Sequence, residues 1–160
     1  MIPPNLPSYN LVKAKRMLVD QQKDASLSGF SQLIEYRLQR GDKGYAEVSM
    51  TVGPQHLNRL GVLHGGVLAT LLDTATGFAV AFADSPDRMK PAVTLTLNTQ
   101  FLGQTGLGDQ LMAIGKHIGG GKTIAYATAE VRRPDGTVVA RGDAVYRFLN
   151  ERKVGGGGGP

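Results

Sequence analysis

The chain of 160 residues contains no cysteine and no tryptophan. Without thiols there is no disulfide framework, zinc-thiolate site, iron–sulfur cluster or cysteine nucleophile. Histidine occurs only three times, so a three-histidine metal site would consume every one. Aromatics are 6%, and no run of five basic residues occurs, which leaves little for a nucleic-acid-stacking surface. The segment MIPPNLPSYNLVKAKRM has no apolar core of a secretory signal. The longest apolar stretch, residues 61–83, is broken by His64, Asp73 and several Thr and Gly. It reads as a buried helix rather than a membrane span. The expectation is a cytoplasmic protein with no nucleic-acid partner, no membrane insertion, no metal and no cofactor.

What is present is an ordinary globular balance, 41% hydrophobic and 19% charged. A chain of this length makes one domain the default. The net charge of +5 suits a small anionic ligand as well as solubility.

Residues 1–9 hold three prolines and read as an irregular arm. Residues 10–26 carry Leu11, Ala14, Met17 and Leu18 at helical spacing, with Gly29 as the stop. The expected layout is therefore an N-terminal arm and helix over 1–28, a folded domain over 29–150, and a disordered Gly-rich tail over 151–160. Within the domain, Ala46, Val48, Met50 and Val52 alternate as in a half-buried strand, with residues 31–38 as its hairpin partner. Residues 64–83 are apolar nearly all round, a helix of roughly 30 Å that needs cover on most faces. Four strands follow, over 92–102, 109–118, 123–132 and 138–148. The last pair is joined by Pro134-Asp135-Gly136, a strong turn signal. Sequential strands with short turns favour an antiparallel sheet. The fold class is α+β, with one long helix buried against one curved sheet.

Two features of residues 56–73, HLNRLGVLHGGVLATLLD, break local rules. Gly65 and Gly66 follow His64 at the helix mouth, where they leave backbone N–H groups uncovered. Such groups, with the positive end of the helix dipole, suit an anion or a developing oxyanion. Tight packing of the helix start explains them equally well. Asp73 lies within an apolar run, where a carboxylate is costly unless paired or functional. A solvated stripe of the helix is the plainer explanation. Asp73 follows His64 by nine residues, hence about 13.5 Å along one helix. That is too far for both to act on one carbonyl. If both serve one reaction, two helices must contribute, and catalysis then implies a dimer.

The string NRLGVLHGG over residues 58–66, with Asp73 following, resembles the hotdog-fold acyl-CoA thioesterases. It is most similar to the PaaI-like branch, which includes phenylacetyl-CoA thioesterases and mammalian thioesterase-superfamily enzymes. The similarity runs from residue 29 to 148. It takes in AVTLTLNTQF at 92–101, Gly108-Asp109, GKT at 121–123 and PDGTVVARG at 134–142. The resemblance implies a long central helix wrapped by the sheet, a homodimer or dimer of dimers, and hydrolysis of acyl-CoA. It assigns the thioester carbonyl to the N–H of Gly65 or Gly66. Asp73 of the other chain is implied as base or nucleophile, and Asn58 as the residue that positions water or the carboxylate. It also implies that His64 orients the thioester end and that Thr94 assists the water. Leu68, Leu72, Thr76 and Phe78 are expected near the acyl pocket, and Lys122, Arg132 and Arg133 are candidates for the CoA phosphates. Residues 103–106, GQTG, depart from the Arg-Pro or Ser-Pro of many relatives, and leave that loop without a family counterpart. His56 and His117 are expected to be a loop and a sheet-surface residue.

Competing readings are a hotdog hydratase and a non-catalytic acyl-CoA-binding module. Asp73 after His-Gly-Gly argues against the first, and retention of Asp73 argues against the second. There is no G-x-S-x-G elbow for a serine hydrolase. Residues 119–123, GGGKT, lack the spacing of a phosphate-binding P-loop.

Overall fold

The computed structural model describes residues 28–85 and 88–149. The expected N-terminal arm, the helix over 10–26 and the Gly-rich tail lie outside the described residues. The chain divides into two units at Leu33/Ile34, and of the first only residues 28–33 are described. There Ser28 caps the short helix α1 (Gly29–Ile34), its Oγ accepting the Ser31 N–H at 3.1 Å. Gly29 therefore opens a helix.

The elements that follow are β1 (Arg37–Asp42), β2 (Tyr45–Thr51), a 3-10 turn (Pro54–His56), α2 (Gly65–Ala81), β3 (Ala92–Phe101), β4 (Gln110–Gly120), β5 (Ile124–Arg132) and β6 (Val138–Phe148). All strands join one sheet in the order β1-β2-β4-β5-β6-β3, and every neighbouring pair is antiparallel. The hairpin partner of β2 starts only at Arg37, because residues 29–34 are helical. Ala46, Val48, Met50 and Val52 are all buried, as their alternation requires.

Helix α2 packs across β2 through β6. Leu71, Leu72, Ala75, Ala79 and Val80 are each fully enclosed. This is the α+β arrangement expected, a long helix covered by a curved antiparallel sheet. It is shorter by two residues at its C-terminal end than the apolar run suggested. Among the described residues no helix is long and apolar enough to cross a membrane.

Gly115 sets how closely helix and sheet approach. A Cβ built there would lie 2.0 Å from the carbonyl oxygen of Ala75 and 2.4 Å from its carbon. Helix backbone, not a movable side chain, blocks the space. Gly115→Ala is therefore expected to destabilise the fold by about 3 kcal/mol, the upper range for overpacking. The check is the urea midpoint, which should fall while the slope of the transition stays unchanged.

Strand β3 behaves differently from its pattern. Its alternation reads as half-buried, yet Val93 and Leu95 are 37% and 49% exposed. Among the described residues β3 is a sheet edge, paired on one side with β6 alone, and its register slips between Thr94 and Thr96.

Candidate active site

The loop before α2 is tied down by its own polar groups. The Asn58 Oδ1 accepts the N–H groups of Leu60 at 2.8 Å and Val62 at 3.3 Å. Gly61 completes the turn at φ +75°, a conformation glycine adopts without steric cost. Leu57 bridges Leu63, Val62 bridges Gly106, and the His56 carbonyl accepts the His64 N–H at 2.9 Å. Asn58 thus shapes the turn with its oxygen, leaving its NH2 without a partner among the described residues. His56 belongs to the loop, as expected, at the end of its 3-10 turn, and is buried there. It is 1% exposed, and its Nδ1 accepts the Gly53 N–H at 2.9 Å.

His64 caps α2, its Nδ1 accepting the Gly66 N–H at 2.8 Å. This arrangement separates the two glycines. The Gly66 donor is engaged by the cap, so it is withdrawn from the oxyanion role the resemblance allowed. The Gly65 N–H, first in the helix, keeps no partner among the described residues. It points out of the positive end of the helix dipole. With Nδ1 occupied, His64 holds the helix mouth in place rather than acting through that nitrogen.

Asp73 lies two turns further on and is half-buried. Its Oδ1 accepts the Thr94 hydroxyl at 2.8 Å and the Tyr146 hydroxyl at 3.0 Å. Thr94, an exposed residue of the edge strand, is therefore brought to Asp73 by the fold. Tyr146 comes from β6 and is 3% exposed. Burial, and then the charge of Asp73, pushes its phenol well above the usual tyrosine range. Tyr146 thus stays protonated and able to donate. Sequence reading missed it. The available signal was an inward strand position among Ala140 and Ala144, where a buried tyrosine needs a partner for its hydroxyl.

Asp73 opens onto a groove of about 490 Å³ lined by Tyr36, Thr74, Gly77, Phe78, Met89 and Pro91 among others. Phe78 is part of this lining. Leu72 and Thr76 are not, because both are fully enclosed in the core. Leu68 is buried as well. On a helix this closely covered, the face that reaches the groove is the one bearing Asp73, Thr74 and Gly77.

The three candidate phosphate ligands are not brought together. Lys122 precedes β5 and Arg132 ends it, so ten residues of extended chain hold them roughly 33 Å apart. Arg132 is bound to Glu130, and Arg133 to the Gln104 carbonyl with Asp109 at 3.9 Å. Arg132 and Arg133 lie at the end of the sheet where Phe101 packs beside Gly65. Among the described residues, no group of His, Asp and Glu could hold a metal ion.

The model of the thioesterase superfamily matches residues 60–140, just over half of the chain. Mouse acyl-coenzyme A thioesterase 13 is 31% identical over 94 residues, which are 58% of this chain and 65% of that protein. The matched region thus spans a little under two thirds of that relative. The E. coli PaaI protein of the phenylacetic acid degradation operon superposes with a TM-score of 0.72 at 24% identity, covering 87% of this chain and 95% of that one. A Streptococcus mutans protein bound to acetyl CoA gives 0.66 at 26% identity, covering 74% and 91%. The region matched by the family model contains the helix mouth, Asp73 and Thr94, and the chain belongs to the thioesterase superfamily, with its hotdog fold.

Proposed function

We propose that the protein hydrolyses acyl-CoA thioesters to a free acid and CoA. The observation that carries this reading is the Asp73 carboxylate. One oxygen is fastened by two hydroxyls, the other keeps no partner among the described residues, and the residue lines a groove. The Gly65 N–H, with the Asn58 NH2 available in the same loop, would receive the thioester oxygen as charge develops on it. Asp73 takes a proton from water, and the water oxygen attacks the carbonyl carbon. The C–S bond then breaks, and the proton passes to the departing thiolate. A thiolate leaves readily, so one base and one oxyanion site suffice without a serine nucleophile.

Gly65 and Asp73 lie eight residues apart on a straight helix, hence about 12 Å. One carbonyl cannot touch both. The reading therefore includes a homodimer in which α2 of one subunit supplies Gly65 and α2 of the other supplies Asp73. The unpaired β3 edge, with Val93 and Leu95 exposed beside Thr94, is the surface that supports such pairing. A dimer of dimers and a cytoplasmic setting belong to the same reading. Arg132 and Arg133, at the helix-mouth end, are better placed than Lys122 to meet CoA phosphates bound there.

The test is thiol release from purified protein with short-chain, long-chain and aryl-acyl CoA esters. Release from at least one class is expected. Failure with every ester, while CoA esters still raise the melting temperature, would overturn hydrolysis and leave a binding module.

A further inference from the structure

Tyr146 is the most heavily bonded side chain near Asp73, and the reaction as written leaves it idle. Its hydroxyl lies 2.8 Å from the Asp73 carbonyl oxygen, 3.0 Å from Asp73 Oδ1 and 2.8 Å from Thr76 Oγ1. Thr76 Oγ1 lies in turn 2.8 Å from the Leu72 carbonyl and 3.1 Å from that of Asp73. Each hydroxyl has one proton to give. The two carbonyls belong to α2 and already accept N–H groups one turn on. The carboxylate is the only charged acceptor, and a bond to it is roughly twice as strong as a neutral one. The pattern that satisfies most is Tyr146 donating to Oδ1, with Thr76 holding the phenol in line.

The phenol also lies close against α2 one turn beyond Asp73: a Cβ at Gly77 would stand 3.4 Å from the Tyr146 hydroxyl, in ordinary van der Waals contact.

We propose that Tyr146 is the positioning residue of Asp73. With Thr94 on the exposed side and Tyr146 on the buried side, Oδ1 is held by two donors. Oδ2 keeps no partner among the described residues, and Asp73 lines the groove, so Oδ2 is the oxygen left to take the attacking water. This inference rests on the proposed hydrolysis, because it gives Asp73 its role as base.

Two measurements test it. The first needs no turnover. The Tyr146 hydroxyl proton is sought by NMR in the native protein and identified by its loss in Tyr146→Phe. It should move upfield in Asp73→Asn, where the charged acceptor is gone. A resonance that does not move would mean the phenol serves the backbone carbonyl, and the inference falls. The second is kinetic. Tyr146→Phe keeps the ring packing, and should lower kcat about ten- to a hundredfold, the range for a bond to a charged group. KM should stay within about twofold, since Tyr146 reaches the groove but is only 3% exposed, and the substitution keeps its ring. Thr76→Val should lower kcat by a smaller factor, and Thr76→Ser should restore it. A native protein without activity sinks the hydrolase reading and the role of Tyr146 with it. An active native protein whose Tyr146→Phe variant keeps the native kcat sinks this inference alone.

Discussion

Gly65→Pro should lower kcat about 10²- to 10³-fold and leave the fold almost untouched. The expectation follows from one atom. Proline removes the Gly65 N–H, the single donor at the helix mouth that the cap leaves open, and loss of one oxyanion donor costs rates of this order. Nothing else should change. Proline is favoured at the first helical position, where the N–H has no intrahelical partner. His64 already has φ −67° and ψ 133°, the extended conformation that a following proline demands. The space a Cβ would enter meets only the Phe101 ring, at 3.4 Å. A melting temperature within a few degrees of native, together with the lost rate, would tie the defect to the missing donor. Unaltered kcat would remove Gly65 from the chemistry.

Asp73→Asn should cost at least about a hundredfold, as expected for loss of a positioned base. The amide has the shape of the carboxylate and can still accept from Thr94 and Tyr146, so the groove should persist. The two inactive variants together then read the subunit arrangement. Random re-association of equal amounts gives half mixed dimers. In each mixed dimer one site is doubly damaged and the other pairs a native Gly65 with a native Asp73. Mixing should therefore recover about a quarter of native activity. No recovery from subunits shown to exchange would place both residues of one site on one chain.

Much of this was legible in the residues. The alternation in β2 and the all-round apolarity of residues 65–81 identify a strand and a buried helix, because covered faces impose those periods. Asp73 and Gly65 stand out because each breaks its local rule. The fold was less legible where tertiary contacts override local pattern. Residues 29–34 mix polar and apolar side chains without a clear period, and a single Ser28 cap decides for helix. Val93 and Leu95 alternate as if buried, but no element among the described residues covers them. Leu72 and Thr76 sit at plausible helical positions for a pocket, yet lie on the face of α2 turned into the core. Tyr146 is 73 residues from Asp73 in sequence, and no local pattern joins them. The division between Gly65 and Gly66 depends on which nitrogen of His64 faces the helix.

The edge at β3 has a further consequence. Ten residues of strand left unpaired on one side among the described residues, roughly 33 Å long and flanked by Val93, Leu95 and Phe101, form an adhesive margin. A lone subunit would expose a template for any other extended chain, correct or not, and would be drawn into insoluble cross-β deposits. Under the proposed pairing, the contact that completes the reacting centre also masks this margin. Dilution or mutation that parts the subunits would then silence the enzyme and make the chain prone to precipitate in one step.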